Sequence, residues 1–464
     1  MRWDLFSCPF QPVSLQKELN YMNDATRADD SSAADTFEVM VLGAGISGLV
    51  SASVLLKQGY QNIIVVDEYD HIGGNHIDCS IGEYTFDIGS FIFQDDSPLL
   101  VHLPEILPLY SPINPTWGRL NPQGVVTRYP ISIKDDLIAA GPVEWLRILS
   151  SVLFARVFRR RLQNARDFAQ FWIGARLLHR SGLGRYMERF YGLPAEKIDI
   201  RFAEKRMLWI KEHASIRRYL SLPRSLKRSE PPSIPNKQLA RPREGFTHLY
   251  QVAAQRLERS GVTFRLGAKM LSLKKKDGLF FLDTDERRVA ASRVVSTIPL
   301  ERVQELCGIV SEEKLQSVTL ISLFFSFSGD RGFNDAVLYN FSHTGAWKRL
   351  TVYSDFYGPS GGREFFAVEV NADHVSGSVE IAAKDFRQHT SENGLFTGDL
   401  RLEGSHIVSN AYPIYTDKAD ERATNAIAAL RAFGVESLGR QGAFDYQPTA
   451  RDTTLKAEAA LRRD

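Results

Sequence analysis

The sequence predicts an α/β protein in which a doubly wound parallel sheet is joined by a second, mixed β-sheet and a helical insert. Three observations carry that prediction. A buried-strand run, Phe37–Leu42, leads straight into Gly43-Ala44-Gly45-Ile46-Ser47-Gly48 and an apolar helical stretch. Residues 134–211 switch to apolar spacings of three and four. Short β-rich runs then recur between residues 301 and 415.

At roughly 150 residues per domain, 464 residues make about three lobes. A hydrophobic content of 44% with 24% charged residues excludes collagenous, low-complexity and wholly disordered classes. The 57 Lys+Arg and 55 Asp+Glu leave a net charge of +2, so no nucleic-acid partner is expected. Cys8, Cys79 and Cys307 are scattered and suggest neither a disulfide framework nor a zinc site. With no metal-ligand spacing among the histidines, no metal is expected, and the simplest compartment is the reducing cytoplasm. No run approaches the ~18 apolar residues of a membrane span.

Taken in order, residues 1–35 read as a flexible lead-in, because Asn23–Asp35 is small, polar and acidic. Residues 36–133 are the first part of the nucleotide-binding domain: strand Phe37–Leu42, helix Leu49–Lys57, strand Gln61–Val66. The helical insert spans 134–211, with helices over Pro142–Leu162 and Phe168–His179. Residues 212–244 form a basic, proline-rich loop. The nucleotide-binding domain resumes over 245–300, with helix Gly245–Arg259 and strands Val262–Leu266, Met270–Lys276, Gly278–Asp283 and Arg293–Thr297. Residues 301–415 supply the substrate-domain sheet through strands Leu320–Ser328, Arg349–Ser354 and Glu364–Val370. Residues 416–464 close the chain with helices Asp417–Phe433 and Ala450–Arg463.

The G-x-G-x-x-G turn has the context its chemistry requires. Gly43 permits the tight turn, Gly45 lets backbone approach a pyrophosphate, and Gly48 lets helix pack on strand. Ile46 and Ser47 stand at the entry to the helix, whose N-terminal end of the dipole favours phosphate. Asp67 follows 19 residues after Gly48 and can accept ribose hydroxyls, with Glu68 as its competitor. The pattern is Rossmann-type.

The acid at Asp67, followed by Gly73-Gly74-Asn75, resembles the FAD-binding clan of amine oxidases, protoporphyrinogen oxidases, phytoene desaturases and UDP-galactopyranose mutases. The resemblance covers almost all of the chain after residue 36. It implies non-covalent FAD, with the backbone at Gly73 and Gly74 against flavin and phosphates. It carries Thr85–Phe91, with Gly89 and Ser90, toward the isoalloxazine, and sets backbone near Met270 beside the adenine. The stretch Gly439-Arg440 to Tyr446 is similar to the terminal motif that closes over the flavin.

Within the clan, His71–Asn75, Trp347–Ser354, Ala411-Tyr412-Pro413 and Gly439-Arg440 are most similar to the mutases, where an Arg matching Arg349 holds a diphosphate. Phe91 stands where the mutases carry a histidine, and it can neither hydrogen-bond nor carry a proton. The leading expectation is therefore an FAD-dependent oxidoreductase of the amine oxidase or protoporphyrinogen oxidase type, acting on a small organic substrate by hydride transfer. The alternative is a mutase-like isomerase acting on a nucleotide-sugar through reduced flavin. Either substrate can be phosphorylated or nucleotide-linked.

Trp145–Arg161 is amphipathic and ends in Arg156, Arg159, Arg160 and Arg161. A domain helix with a solvated basic end is its leading reading, and peripheral membrane contact is the second. Tyr412 and Tyr446 are candidates for stacking on flavin or sugar, and His71, His76, His179, His213 and His248 read as ordinary polar residues.

Overall fold

The computed structural model describes residues 34–89, 92–130, 136, 140–159, 161–200, 203, 237–311, 314–416 and 418–462. Ser90, Phe91, the 1–33 lead-in, Arg160, and the basic loop as far as 236 lie outside the described residues. The chain forms two compact units, one from residues 1–112, 238–315 and 421–464, the other from residues 113–237 and 316–420.

The first unit is built on a seven-stranded sheet. Its order is Val262–Arg265, Ile63–Val66, Asp35–Leu42, Val289–Ser296, Leu279–Thr284, Met270–Lys276, with Val435–Ser437 also pairing with Val289–Ser296. The pairings among Val262–Arg265, Ile63–Val66, Asp35–Leu42, Val289–Ser296 and Val435–Ser437 are all parallel. Those strands are apolar at successive positions because both sheet faces are covered. Val39, Val41, Ile63 and Val65 face a core shared with helices Ile46–Lys57, Phe246–Arg259 and Ala450–Leu461. Met40, Leu42, Ile64 and Val66 face the opposite core, shared with helices Leu300–Leu306 and Ala419–Phe433. This is the expected doubly wound α/β architecture.

The second unit has a mixed sheet in the order Phe396–Pro413, Ser317–Arg331, Glu364–Asn371, Trp347–Val352, Val337–Asn340, Trp117–Leu120, Val126–Arg128. Only Val337–Asn340 with Trp117–Leu120 is parallel. One face buries Phe325, Phe366, Val368 and Leu350 against Phe386 of helix Val379–Glu392. Helices Pro142–Phe158, Ala165–Arg180 and Leu183–Tyr191 belong to the same unit.

Several elements escape the sequence reading, among them a hairpin, a helix and a long edge strand. The hairpin Ile77–Ile81/Tyr84–Ile88 has short strands, with Tyr84, Phe86 and Ile88 buried. The helix Val379–Glu392 is capped by Ser378, whose hydroxyl accepts from the Ile381 N–H. The 18-residue strand Phe396–Pro413 lies at the sheet edge and is polar at most positions, so alternation is weak there. The cysteine expectation is corrected at one point. Cys79 is disulfide-bonded, to a partner outside the described residues, while Cys307 is a thiol whose pKa burial pushes up to about 12.

Candidate dinucleotide site

Four of the five parallel strands of the first unit deliver candidate residues at their carboxyl ends, the edge where open α/β sheets bind ligands. Leu42 runs into Gly43-Ala44-Gly45, Val66 into Asp67, Ser296 into Thr297, and Ser437 into Gly439. Backbone bonds knit the ends together: Gly43 N–H donates to Val66 O at 2.7 Å, and Thr297 N–H donates to Leu42 O at 2.7 Å.

The glycines differ in what requires them. A Cβ at Gly48 would lie 1.9 Å from Gly43 O, so no side chain fits between helix and turn. Gly43 has φ +103°, and a Cβ there would strike Thr297 Oγ1 at 2.4 Å. At Gly45, φ is −74° and the nearest atom to an added Cβ is Gly74 Cα at 3.7 Å, ordinary van der Waals contact. Protein packing therefore does not select glycine at Gly45. A molecule laid against this backbone would, which is the fit a pyrophosphate needs.

The second glycine turn meets the first. Gly45 and Gly73 form a parallel β-bridge, and Gly73 N–H donates to Ala44 O at 3.0 Å. Protein packing by itself asks for glycine at Gly73, where a Cβ would meet the Tyr250 ring at 2.6 Å. One at Gly74 would stand 3.1 Å from Gly45 Cα. Gly89 needs its φ of +94°, and its added Cβ would sit 3.7 Å from Asn75 O. Gly439, at φ +84°, packs on Ser47, which would be 2.5 Å from a Cβ there. The terminal segment thus lies on the first turn of the helix that starts at Ile46.

Asp67 is more occupied than the sequence suggested. Its Oδ2 accepts from Ala44 N–H at 2.5 Å and its Oδ1 from Tyr69 N–H at 2.9 Å. Burial raises its pKa, working against those two bonds. The carboxylate therefore fixes the shape of both turns. Glu68 accepts from Met270 N–H at 3.2 Å and from Arg302 Nη2 at 2.7 Å, and Arg302 also donates to Met270 O at 2.7 Å. The Met270 side chain is buried in the core. Arg302 was not anticipated; no local motif marks it.

His71 Nε2 lies 3.2 Å from Gly74 O. His76, read as an ordinary polar residue, lies 2.8 Å from Tyr250 OH through Nδ1. Burial, and then the positive charge of Arg440, lower its pKa to about 4, so the ring is neutral near pH 7. The Arg440 guanidinium carbon lies 5.9 Å from the Tyr446 ring centroid. The hairpin leading to Gly89 is anchored by Asp87, which accepts from the buried Arg241. Burial pushes Asp87 up to about 6 against the pull of that guanidinium. Among the described residues, no group of His, Cys, Asp and Glu could hold a metal ion.

Arg349 lies in the second unit, in strand Trp347–Val352. A bulge between Trp347 and Arg349 sets both Lys348 and Arg349 against Glu369. Glu369 Oε2 accepts from Lys348 Nζ at 2.8 Å, and its Oε1 accepts from Arg349 Nη2. Burial opposes the charged form of Glu369, but the two cations outweigh it and hold its pKa at about 2. Lys348 also donates to Tyr412 OH at 3.2 Å and sits 4.7 Å from the Phe190 ring centroid. Tyr412 is core rather than a stacking platform: it is buried, stacks on Phe190 and donates to Phe190 O at 2.6 Å. Lys348 and Glu369 were missed, because only the bulge brings neighbouring cations to one carboxylate.

Residues 41–104 match the family model described as an NAD(P)-binding Rossmann-like domain. Among solved structures the chain is similar to a reduced UDP-galactopyranose mutase, with a TM-score of 0.72 at 16% identity over 91% of this chain and 94% of that one. It is similar to a protein from an Exiguobacterium species assigned as a protoporphyrinogen oxidase, with a TM-score of 0.67 at 15% identity over 92% and 98%. A redesigned putrescine oxidase gives 0.54 at 14% identity over 92% and 98%. Identities this low establish a shared fold.

Proposed function

We propose that this chain, whose fold is that of the clan of FAD-dependent amine oxidases, protoporphyrinogen oxidases and UDP-galactopyranose mutases, is an oxidoreductase that binds FAD non-covalently and oxidises a small organic substrate by hydride transfer. The observation that carries the reading is the bridge between Gly45 and Gly73 at the carboxyl edge of the parallel sheet, with a methyl's room at Gly45. When bound, FAD supplies the two-electron acceptor.

The chain's own part is positioning. Amides at the start of helix Ile46–Lys57 would hold the cofactor's phosphates, and Asp67 fixes the turns that carry those amides. Arg440 contributes positive charge beside a neutral His76, where negative charge on a reduced ring is favoured. Hydride transfer asks mainly for orientation, so Phe91 in place of a histidine is compatible with it.

A second reading, a mutase-like isomerase acting on a nucleotide-sugar, draws on Arg349 and Lys348. Two cations share one carboxylate there, and the local surplus of positive charge suits a diphosphate.

Purified protein is expected to be yellow. Gly45→Ala should weaken FAD retention at least about tenfold while changing stability by no more than about 1 kcal/mol. Colourless wild-type protein that stays colourless with added FAD would sink both readings. Anaerobic bleaching of the oxidised flavin by an amine, tetrapyrrole or polyene precursor supports the oxidoreductase. Turnover of a UDP-sugar that requires prior reduction, without consuming it, supports the isomerase.

A further inference from the structure

The helix Pro142–Phe158 of the second unit turns one face inward. Ile148 and Ala155 are buried, and Arg156 stacks inward on Phe171 and Trp172 of helix Ala165–Arg180, 4.5 Å and 4.2 Å from their ring centroids. The outward side is apolar. Eight large hydrophobic side chains between Val143 and Phe158 are exposed, from Trp145 at 44% to Phe158 at 70%. Leu146, Leu149, Leu153 and Phe154 lie between them on the same side. Scattered single apolar residues are normal on a surface, but a contiguous helical face of them marks a docking surface.

The charge pattern selects the occupant. The helix has one acid, Glu144, which is 11% exposed and turned to Arg176 at 2.5 Å. Arg147, 65% exposed, lies 3.5 Å from the same Glu144, so two arginines share that one carboxylate and leave a positive surplus. Arg159 and Arg161 follow the helix; Arg159 is 43% exposed and lies 3.7 Å from Asp167, and Arg161 is exposed. A second copy seated on this face would set its positive surplus against an identical one, because Glu144 already serves both Arg147 and Arg176. A bilayer with anionic headgroups accepts both the apolar side chains and the arginines. At 17 residues the helix is about 25 Å long, and among the described residues no helix is long and apolar enough to cross a membrane. Trp145 near one end and the Phe154–Phe158 pair at the other, with centroids 4.9 Å apart, suit the headgroup boundary.

We propose that helix Pro142–Phe158 docks the protein, lying in the plane of the surface, on an anionic lipid bilayer. The test is flotation of the full chain with phosphatidylcholine vesicles with and without about one quarter phosphatidylglycerol. It compares wild type with a Leu149→Ser, Leu153→Ser, Phe154→Ser triple variant, whose altered positions are all exposed. Wild type should float with the anionic vesicles, at least about tenfold less with phosphatidylcholine alone, and the triple variant at least about tenfold less than wild type. Light scattering should give the same mass for both proteins in solution, and their melting temperatures should agree. No flotation of wild type, or equal flotation of the two proteins, would overturn the proposal. So would a wild-type dimer that the triple substitution converts to monomers.

Discussion

The two units make their candidate sites from different material. In the first, the site is mostly main chain: strand ends, two glycine turns, and a carboxylate, Asp67, that holds amides in place. In the second it is side chain: Lys348, Arg349 and Glu369 on neighbouring strands. This backbone site tolerates little at Gly43 and Gly48, where a methyl would strike neighbouring atoms. Side-chain sites can change specificity by substitution while the sheet beneath them persists.

The sharpest way to break that contrast is Gly48→Ala. A Cβ 1.9 Å from Gly43 O cannot be absorbed by a flexible neighbour, so a loss above about 4 kcal/mol is expected, read as loss of soluble, yellow protein. A stable Gly48→Ala protein would show the turn to be softer than its geometry implies.

Next come the buried ion pairs, one in each unit. Glu369→Gln removes the carboxylate that Lys348 and Arg349 share, and Asp87→Asn removes the carboxylate that faces Arg241. Each should cost about 3–5 kcal/mol in urea unfolding, with Glu369→Gln the larger because two cations lose that carboxylate. The reverse order would mean that the second-unit cluster is better solvated than its burial suggests.

The smallest effect expected is the pH dependence of His76. Its folded pKa is lowered from 6.5 to about 4, so the unfolded chain binds the extra proton first. Stability is complete above pH 6.5 and falls as pH drops toward about 4, by at most about 3 kcal/mol. A His76→Gln variant should show a flatter profile over that window. Parallel profiles would place the acid sensitivity elsewhere.

The parallel core of the first unit was legible because its code is local. Strand, turn and helix follow within about 30 residues, and both sheet faces are buried, so the apolar runs at Val39–Leu42 and Ile63–Val66 are unbroken. The second unit resisted for the opposite reason. The edge strand Phe396–Pro413 is mostly polar, and Glu369 meets Lys348 and Arg349 through a bulge that no spacing announces. Site residues followed the same divide. The roles of Gly43 and Gly48 follow from turn geometry, whereas the occupation of Asp67 by Ala44 and Tyr69, and the burial of His76 against Tyr250, depend on contacts made only after folding.

The pairing of Val435–Ser437 with Val289–Ser296, and the seating of Gly439 on Ser47, have a temporal meaning. On the ribosome the first glycine turn emerges long before the segment that packs over its helix. A nascent chain can form the opening strands and still lack this part of its nucleotide cradle. Stable loading of the proposed cofactor would therefore wait until residues 435–439 have left the ribosome, and a chain cut before residue 435 should fail to retain it.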